Sequence, residues 1–350
     1  MSFKEFYKIH QPELIKHIYA NLDQAYQNYP LPVGAEGIKI IRKSVAQGKM
    51  IRGMLVLMSA HMHGITIKQV HYDLAAAVEI LHTGFLIHDD IMDNDYKRRN
   101  QDSVYYQYIK EGRRKKAIDP DHYGTSMAMC LGDMVFFLVF EIISKKIKDP
   151  ELVQCIIGYI SQEVQHIGPA QMMDAAYGLI PKDPTEKEID LIYTFKTAHY
   201  TFSLPLILGA VFSSYVRLPL LKDLGCEMGI IFQLRDDELG IFGDTKEIGK
   251  LVGSDIRENK KTLIRHILCK RADNADRKKL DLIFGNSALK KADITFVRNV
   301  LKRYKVMDLI DRQIEIRQDK VEQYLTELTS DGLDVSLLRE LLAFIISRNK

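Results

Sequence analysis

Cysteine is scarce in this 350-residue chain. Cys130, Cys155, Cys226 and Cys269 are scattered, with no CxxC pair and no histidine cluster at metal spacing. In a chain this long that pattern reads as reduced thiols in a cytoplasmic protein and excludes a disulfide scaffold. Long apolar runs are missing as well. No stretch approaches the roughly 18 uninterrupted apolar residues of a membrane span, so none is expected. The first residues, "MSFKEFYKIHQPEL", are polar from the start and contain no apolar signal core. Charge of one sign is also lacking: 49 basic against 46 acidic residues leave a net charge of +3, which does not point to a dedicated nucleic-acid binder. The most basic local run, "GRRKK" (112–116), reads as a solvated loop beside Pro120 and Gly124.

What is present is helical periodicity. The segments 74–93, 131–147 and 153–168 are long and apolar-rich, and the third meets a proline only at Pro169. Strand-like alternation is scarce. Proline and glycine fall between the helical segments, at Pro30, Pro32, Pro120, Pro150, Pro181, Pro184 and Pro219. No proline follows Pro219, and the stretch from "ITFVRNVL" onward reads as several helices with short polar turns. There is no repeat, low-complexity linker or break in composition. The expectation is an all-α helical bundle, one domain over 1–350. The 46% hydrophobic content allows a sizeable core.

Against this even background, "HDDIMDNDYKRRN" (88–100) sets four aspartates in front of three basic residues. If 74–93 is one helix, Leu81, Phe85, Asp89 and Asp93 stack four apart, with His82 and Asp90 to the side. Carboxylates at that spacing lie about 6 Å apart and destabilise a helix unless a cation neutralises them. An acidic rim thus stands one turn above an apolar wall. A second cluster, Asp236 and Asp237 in "FQLRDDELGIFGD" (232–244), again ends a greasy segment. Oxygen-only donors favour a hard ion such as Mg²⁺, which binds substrate phosphate beside one or two carboxylates. Two such pairs facing each other would hold Mg²⁺ ions on a diphosphate. Arg98, Arg99, Lys196, Lys250, Lys260 and Lys261 would complete a phosphate cradle. No glycine-rich phosphate loop occurs; "GKLVGSDIRENKKT" (249–262) lacks the P-loop order. The combination points to a ligand with a diphosphate head and a hydrocarbon tail.

Five motifs in order then resemble those of the trans-isoprenyl diphosphate synthases: "GKMIRG" (48–53), "EILHTGFLIHDDIMD" (79–93), "AQMMD" (170–174), "FKTA" (195–198), and "FQLRDDELGIFGD" with its tail through "NKKT". The resemblance implies a helical fold around a central apolar cavity, a homodimer, and condensation of isopentenyl diphosphate with an allylic diphosphate. It implies that Asp89, Asp93 and Asp236 ligate two or three Mg²⁺ ions, with Asp90 and Asp237 in support, and Asp237 counted among the candidate ligands. Arg98, Lys196 and Lys260 would hold the allylic diphosphate. Lys49, Arg52, His82 and Arg99 would bind isopentenyl diphosphate. Thr197, Gln171 and Gln233 would line the reaction centre, with Lys250 beside the substrate and 348–350 as a closing basic tail.

Taken singly, His82 reads as a satisfied core histidine, Gln171 and Asp174 as intrahelical partners, and Tyr105, Tyr106 and Tyr108 as packing. The chain departs from the family pattern at Met50 (often basic there), Gly53 (proline), Asn100 (glycine) and Gly240 (the third aspartate of the second cluster). Phe85, one turn below Asp89, is expected to stop elongation early, at farnesyl or geranylgeranyl diphosphate, while Gly84 beside it leaves room. The opposite wall is expected from around 127–134. Two other readings compete: a non-catalytic subunit of a heteromeric synthase, and a terpene cyclase. The cyclase would not need the second cationic set and usually carries an NSE-type motif, which is absent.

Overall fold

The computed structural model describes residues 1–45, 47–214, 217–243 and 253–347. Lys250 and the tail 348–350 lie outside them. Among the described residues the chain is all-α apart from one two-residue hairpin. It divides into two compact units, 1–161 with 205–217, and 162–204 with 218–350.

The first unit is built on α1 (Phe3–Asn28), α2 (Pro32–Val45), α3 (Ile51–Met62) and α4 (Gln69–Met92). After the hairpin of β1 (Lys97–Arg98) and β2 (Gln101–Asp102) come α5 (Val104–Arg114) and α6 (Pro120–Lys146). Ser2 opens α1 as a capping box, its backbone N–H donating to the Glu5 carboxylate at 2.8 Å. α4 is the hub, packed against α1, α3 and α6. Leu74 to Val78, Ile80 and Leu81 are all at most 1% exposed, so this stretch is buried on every side, with Glu79 its one ionisable member. Each such Leu or Ile contributes about 1.5–3 kcal/mol by leaving water.

Several sequence expectations shift here. α5 runs to Arg114, so the front of the "GRRKK" run is helical, and Gly124 lies inside α6. Tyr105 and Tyr108 are buried, as packing residues should be. α6 is also long and apolar enough to cross a membrane by length and composition, with 44% of its most apolar window buried. A core helix passes that test too, and α6 packs on α4 and α5.

α7 (Pro150–Leu179) continues through Pro169, where the sequence pointed to an end. α8 (Glu186–Ile192) leads without interruption into eleven residues of π-helix, Tyr193–Ser203, then α9 (Leu204–Ala210). The N–H of Leu204 bonds back to His199, and the next residue, Pro205, has no N–H and would crowd the carbonyl four residues back in α winding. The second unit centres on α10 (Leu218–Phe242), packed on the π-helical segment. It continues with α11 (Ser254–Arg257), α12 (Leu263–Arg271), α13 (Asn274–Ile283), α14 (Lys291–Arg303), α15 (Val306–Ser330) and α16 (Ser336–Ser347). α15 and α16 both cover α10, and the last three are the C-terminal helices read from the sequence.

Candidate active site

In the first unit α4 ends at its acidic rim. Asp89 is half-buried, Asp90 is 2% exposed, and Asp93 caps the helix, its N–H bonded to the Asp89 carbonyl at 2.9 Å. The cation that relieves their repulsion is Arg98. Its Nε donates to Asp90 Oδ1 at 2.7 Å, and its Nη2 reaches Asp89 at 3.2 Å and Asp95 at 3.5 Å. Burial pushes the Asp90 carboxyl up to about 6 against the pull of that guanidinium.

The hairpin that delivers Arg98 turns on Arg99 (φ +52°) and Asn100 (φ +63°), both left-handed. A two-residue turn of this kind demands positive φ at both centres, which explains why a glycine suits position 100 and why asparagine is a tolerable substitute. Arg99 packs its guanidinium over Gly48, where an added Cβ would come within 2.8 Å of it. Lys49 is exposed and Arg52 half-buried in the first turn of α3. His82 is held well below its ordinary pKa, by burial first and then by the charges of Arg52 and Arg99, so it stands neutral among cations. Within reach of the Arg52 and Arg99 charges lies a group to which the sequence reading gave no role: buried Glu79, accepting the Gly53 N–H at 2.7 Å. Proline at position 53 would remove that donor, so the departure there serves Glu79.

Below the rim, the Phe85 ring lies 4.9 Å, centroid to centroid, from Phe136 of α6, and His88 stacks on the same ring at 5.3 Å. Gly84 does not leave room: a Cβ there would sit 2.7 Å from the Phe136 ring. The opposing wall therefore reaches beyond 127–134, to Val135 and Phe136. An acidic rim stands one helical turn above a paired aromatic wall.

In the second unit the π-helical segment and α10 share a chain of hydrogen bonds. Thr197 Oγ1 donates to Gln233 Oε1 at 2.8 Å, and Gln233 Nε2 donates to Asp237 Oδ1 at 2.7 Å. The Tyr193 hydroxyl donates to the other Asp237 oxygen and accepts the Leu263 N–H at 2.9 Å. Asp237 is 4% exposed, and burial, with the nearby charge of Asp255, raises its carboxyl to about 8. Asp236, next to it, is exposed. Both oxygens of Asp237 are thus engaged within the protein, and Asp236 is the more exposed of the two. Lys196 pairs with Asp174 of α7, and half-buried Gln171 lies one turn earlier on that helix.

Gly240, in place of a third aspartate, has a neighbour in its stead: an added Cβ would come within 2.3 Å of Asp255 Oδ2. Lys260 lies 3.2 Å from Glu258. Lys261 does not join a phosphate cradle. Its side chain is 7% exposed and pairs with Asp183 at 2.6 Å, a carboxylate also bonded by Arg277 at 2.9 Å.

A model of the polyprenyl synthetase family matches residues 38–301, three quarters of the chain. The chain belongs to the polyprenyl synthetase family. It is 30% identical over 309 residues to the geranylgeranyl diphosphate synthase of Saccharolobus solfataricus, covering 87% of this chain and 88% of that one. It is 34% identical over 260 residues to a short chain isoprenyl diphosphate synthase of Methanocaldococcus jannaschii, covering 73% of each. A geranylgeranyl pyrophosphate synthase from Corynebacterium glutamicum, crystallised with isoprenyl diphosphate and magnesium, shares the fold at a TM-score of 0.88, with 24% identity over the whole of both chains. The protein is accordingly an all-α trans-prenyltransferase of the short-chain class.

Proposed function

We propose that this synthase condenses isopentenyl diphosphate with an allylic diphosphate (dimethylallyl, geranyl or farnesyl) and releases farnesyl or geranylgeranyl diphosphate. The observation that carries this reading is the stacking on α4: carboxylates Asp89 and Asp93 at the rim, with the Phe85–Phe136 wall one turn beneath. Such a helix suits a ligand charged at one end and hydrocarbon at the other.

The donors fit magnesium, being carboxylate oxygens at a half-buried rim and at exposed Asp236. Two or three Mg²⁺ ions held by Asp89, Asp93 and Asp236 would neutralise the leaving diphosphate and so ease ionisation of the allylic carbon–oxygen bond. Asp90 and Asp237 act in support. Asp90 anchors Arg98, and Asp237 orients Gln233 and through it Thr197. Arg98, already committed to Asp89, Asp90 and Asp95, fixes the rim and lends its charge to the diphosphate from behind. Lys196 and Lys260 bind the allylic diphosphate. Lys49, Arg52 and Arg99 bind isopentenyl diphosphate, with neutral His82 contributing a hydrogen bond without further charge. Gln171, Thr197 and Gln233 border the reacting carbons. The departing diphosphate takes the proton lost after attack, and the aromatic wall excludes the water that would quench the cation. Lys250 and the tail 348–350, outside the described residues, complete the substrate contacts.

The whole chain, 1–350, acts as one catalytic domain in the cytoplasm, without a membrane span. It works as a homodimer, for which Phe137 (74% exposed) and Met129 (45% exposed) of α6 offer an apolar face. The test compares Asp236→Ala with Asp237→Ala in a condensation assay across a Mg²⁺ titration. Asp236→Ala should demand far more Mg²⁺ for half-maximal rate, and Asp237→Ala should lower kcat at an unchanged Mg²⁺ requirement. Equal Mg²⁺ dependence in both variants and the parent would refute the assignment.

A further inference from the structure

We infer that Glu163, His166 and His199 form a binding site for a divalent transition metal of the zinc type. α7 presents Glu163 and His166 three residues apart, hence on one face, and the π-helical segment brings His199 against them. The three donor atoms lie within 4.8 Å of one another. Glu163 Oε2 stands 3.2 Å from His199 Nδ1 and 3.8 Å from His166 Nδ1. Metal–ligand distances of about 2.0–2.2 Å in a tetrahedron place ligand atoms roughly 3.3–3.5 Å apart. One edge, now the His199–Glu163 hydrogen bond, falls just short of that length, and a second exceeds it by a few tenths of an ångström.

The site is built rather than incidental. Glu163 and His199 are buried, and His166 Nδ1 is sequestered without a hydrogen-bond partner among the described residues. The Phe195 ring lies against both imidazoles, at 5.2 and 5.1 Å. Lys222 Nζ approaches Glu163 at 3.8 Å, but on Oε1, leaving Oε2 to the imidazoles. Two imidazoles and one carboxylate suit zinc, cobalt or nickel and disfavour magnesium, and they leave a fourth position for water. No residue assigned to prenyl transfer takes part. The elements joined are nonetheless the two that carry Asp174 and Lys196, so a metal here would pin the backbone on which that pair depends.

The full-length protein, stripped by chelator, would be dialysed against Co²⁺ or Zn²⁺ in excess Mg²⁺ to saturate the aspartates. Bound metal is then counted by mass spectrometry and the Co²⁺ form read by visible absorption. The expected result is one retained equivalent with the intense bands of four-coordinate Co²⁺. His166→Ala, a partly exposed position that should leave the fold and its melting curve intact, and Glu163→Gln should each cut retention at least tenfold, whereas Asp236→Ala should not. A parent that retains no metal, or a His166→Ala variant that retains as much as the parent, overturns the site. Either result leaves the synthase reading standing, because that reading uses none of these residues.

Discussion

Tyr193→Phe isolates one oxygen atom at the centre of the second unit. The ring is 5% exposed and its packing survives the change, so the loss is confined to two hydrogen bonds. The hydroxyl donates to Asp237 and accepts from the Leu263 N–H. A side-chain hydrogen bond between neutral groups is worth about 0.5–1.5 kcal/mol, and orphaning a buried N–H costs about 1–3 kcal/mol. Asp237 keeps its bond from Gln233, which favours the lower end of the first range. The expected destabilisation is therefore about 1.5–4 kcal/mol. In urea, at an m of about 3 kcal/mol/M, the midpoint should fall by roughly 1 M with m unchanged. The same variant should lower kcat more than it alters KM, since Asp237 holds Gln233 and Gln233 holds Thr197. A midpoint within about 0.2 M of the parent would refute the reasoning, because the hydroxyl would then not be satisfying either partner.

Other outcomes follow from single contacts. Phe85→Ala and Phe136→Ala should each lengthen the product by one or more isoprene units, read by mass spectrometry; an unchanged product from both would remove the aromatic pair as the floor. Gly53→Pro deletes the donor to buried Glu79 and should cost at least about 1–3 kcal/mol in denaturation, while Gly53→Ala should cost less because the N–H remains. Asp183 gives a pH signature. Burial would raise its carboxyl, but hydrogen bonds from Lys261 and Arg277 and the charge of Arg265 hold it below the usual range. Its contribution is thus present above the ordinary aspartate value of about 4 and is lost as pH falls through the depressed one. The stability gap between parent and Asp183→Asn should be full at neutral pH and close under acid; a pH-independent gap would contradict the ion cluster.

The rim of α4 was legible because helical spacing alone stacks Phe85, Asp89 and Asp93, and the ordered motifs named the chemistry. Arg98 was legible as a cation but not as the clamp on Asp89, Asp90 and Asp95, since a hairpin with two left-handed residues folds it back. Phe136 was hidden because it arrives from a separate helix, and Gly84 was misjudged for the same reason. Lys261 looked like phosphate chemistry until Asp183, 78 residues away, was found against it. Tyr193 carries no motif, and Glu79 only opens the first aspartate-rich motif with no role assigned to it; a buried tyrosine or glutamate shows its partners only in three dimensions. Pro169 misled because a proline inside a long helix is tolerated when neighbouring packing outweighs one lost hydrogen bond. The π-helical winding left no mark in the periodicity beyond Pro205 at its end.

The most direct test is the reaction itself. Purified protein, Mg²⁺ and isopentenyl diphosphate would be incubated with dimethylallyl, geranyl or farnesyl diphosphate, and chain lengths read by mass spectrometry. The expected result is one short product, farnesyl or geranylgeranyl diphosphate, abolished by Asp89→Ala. No condensation with any primer would contradict the account and leave a non-catalytic partner subunit in its place.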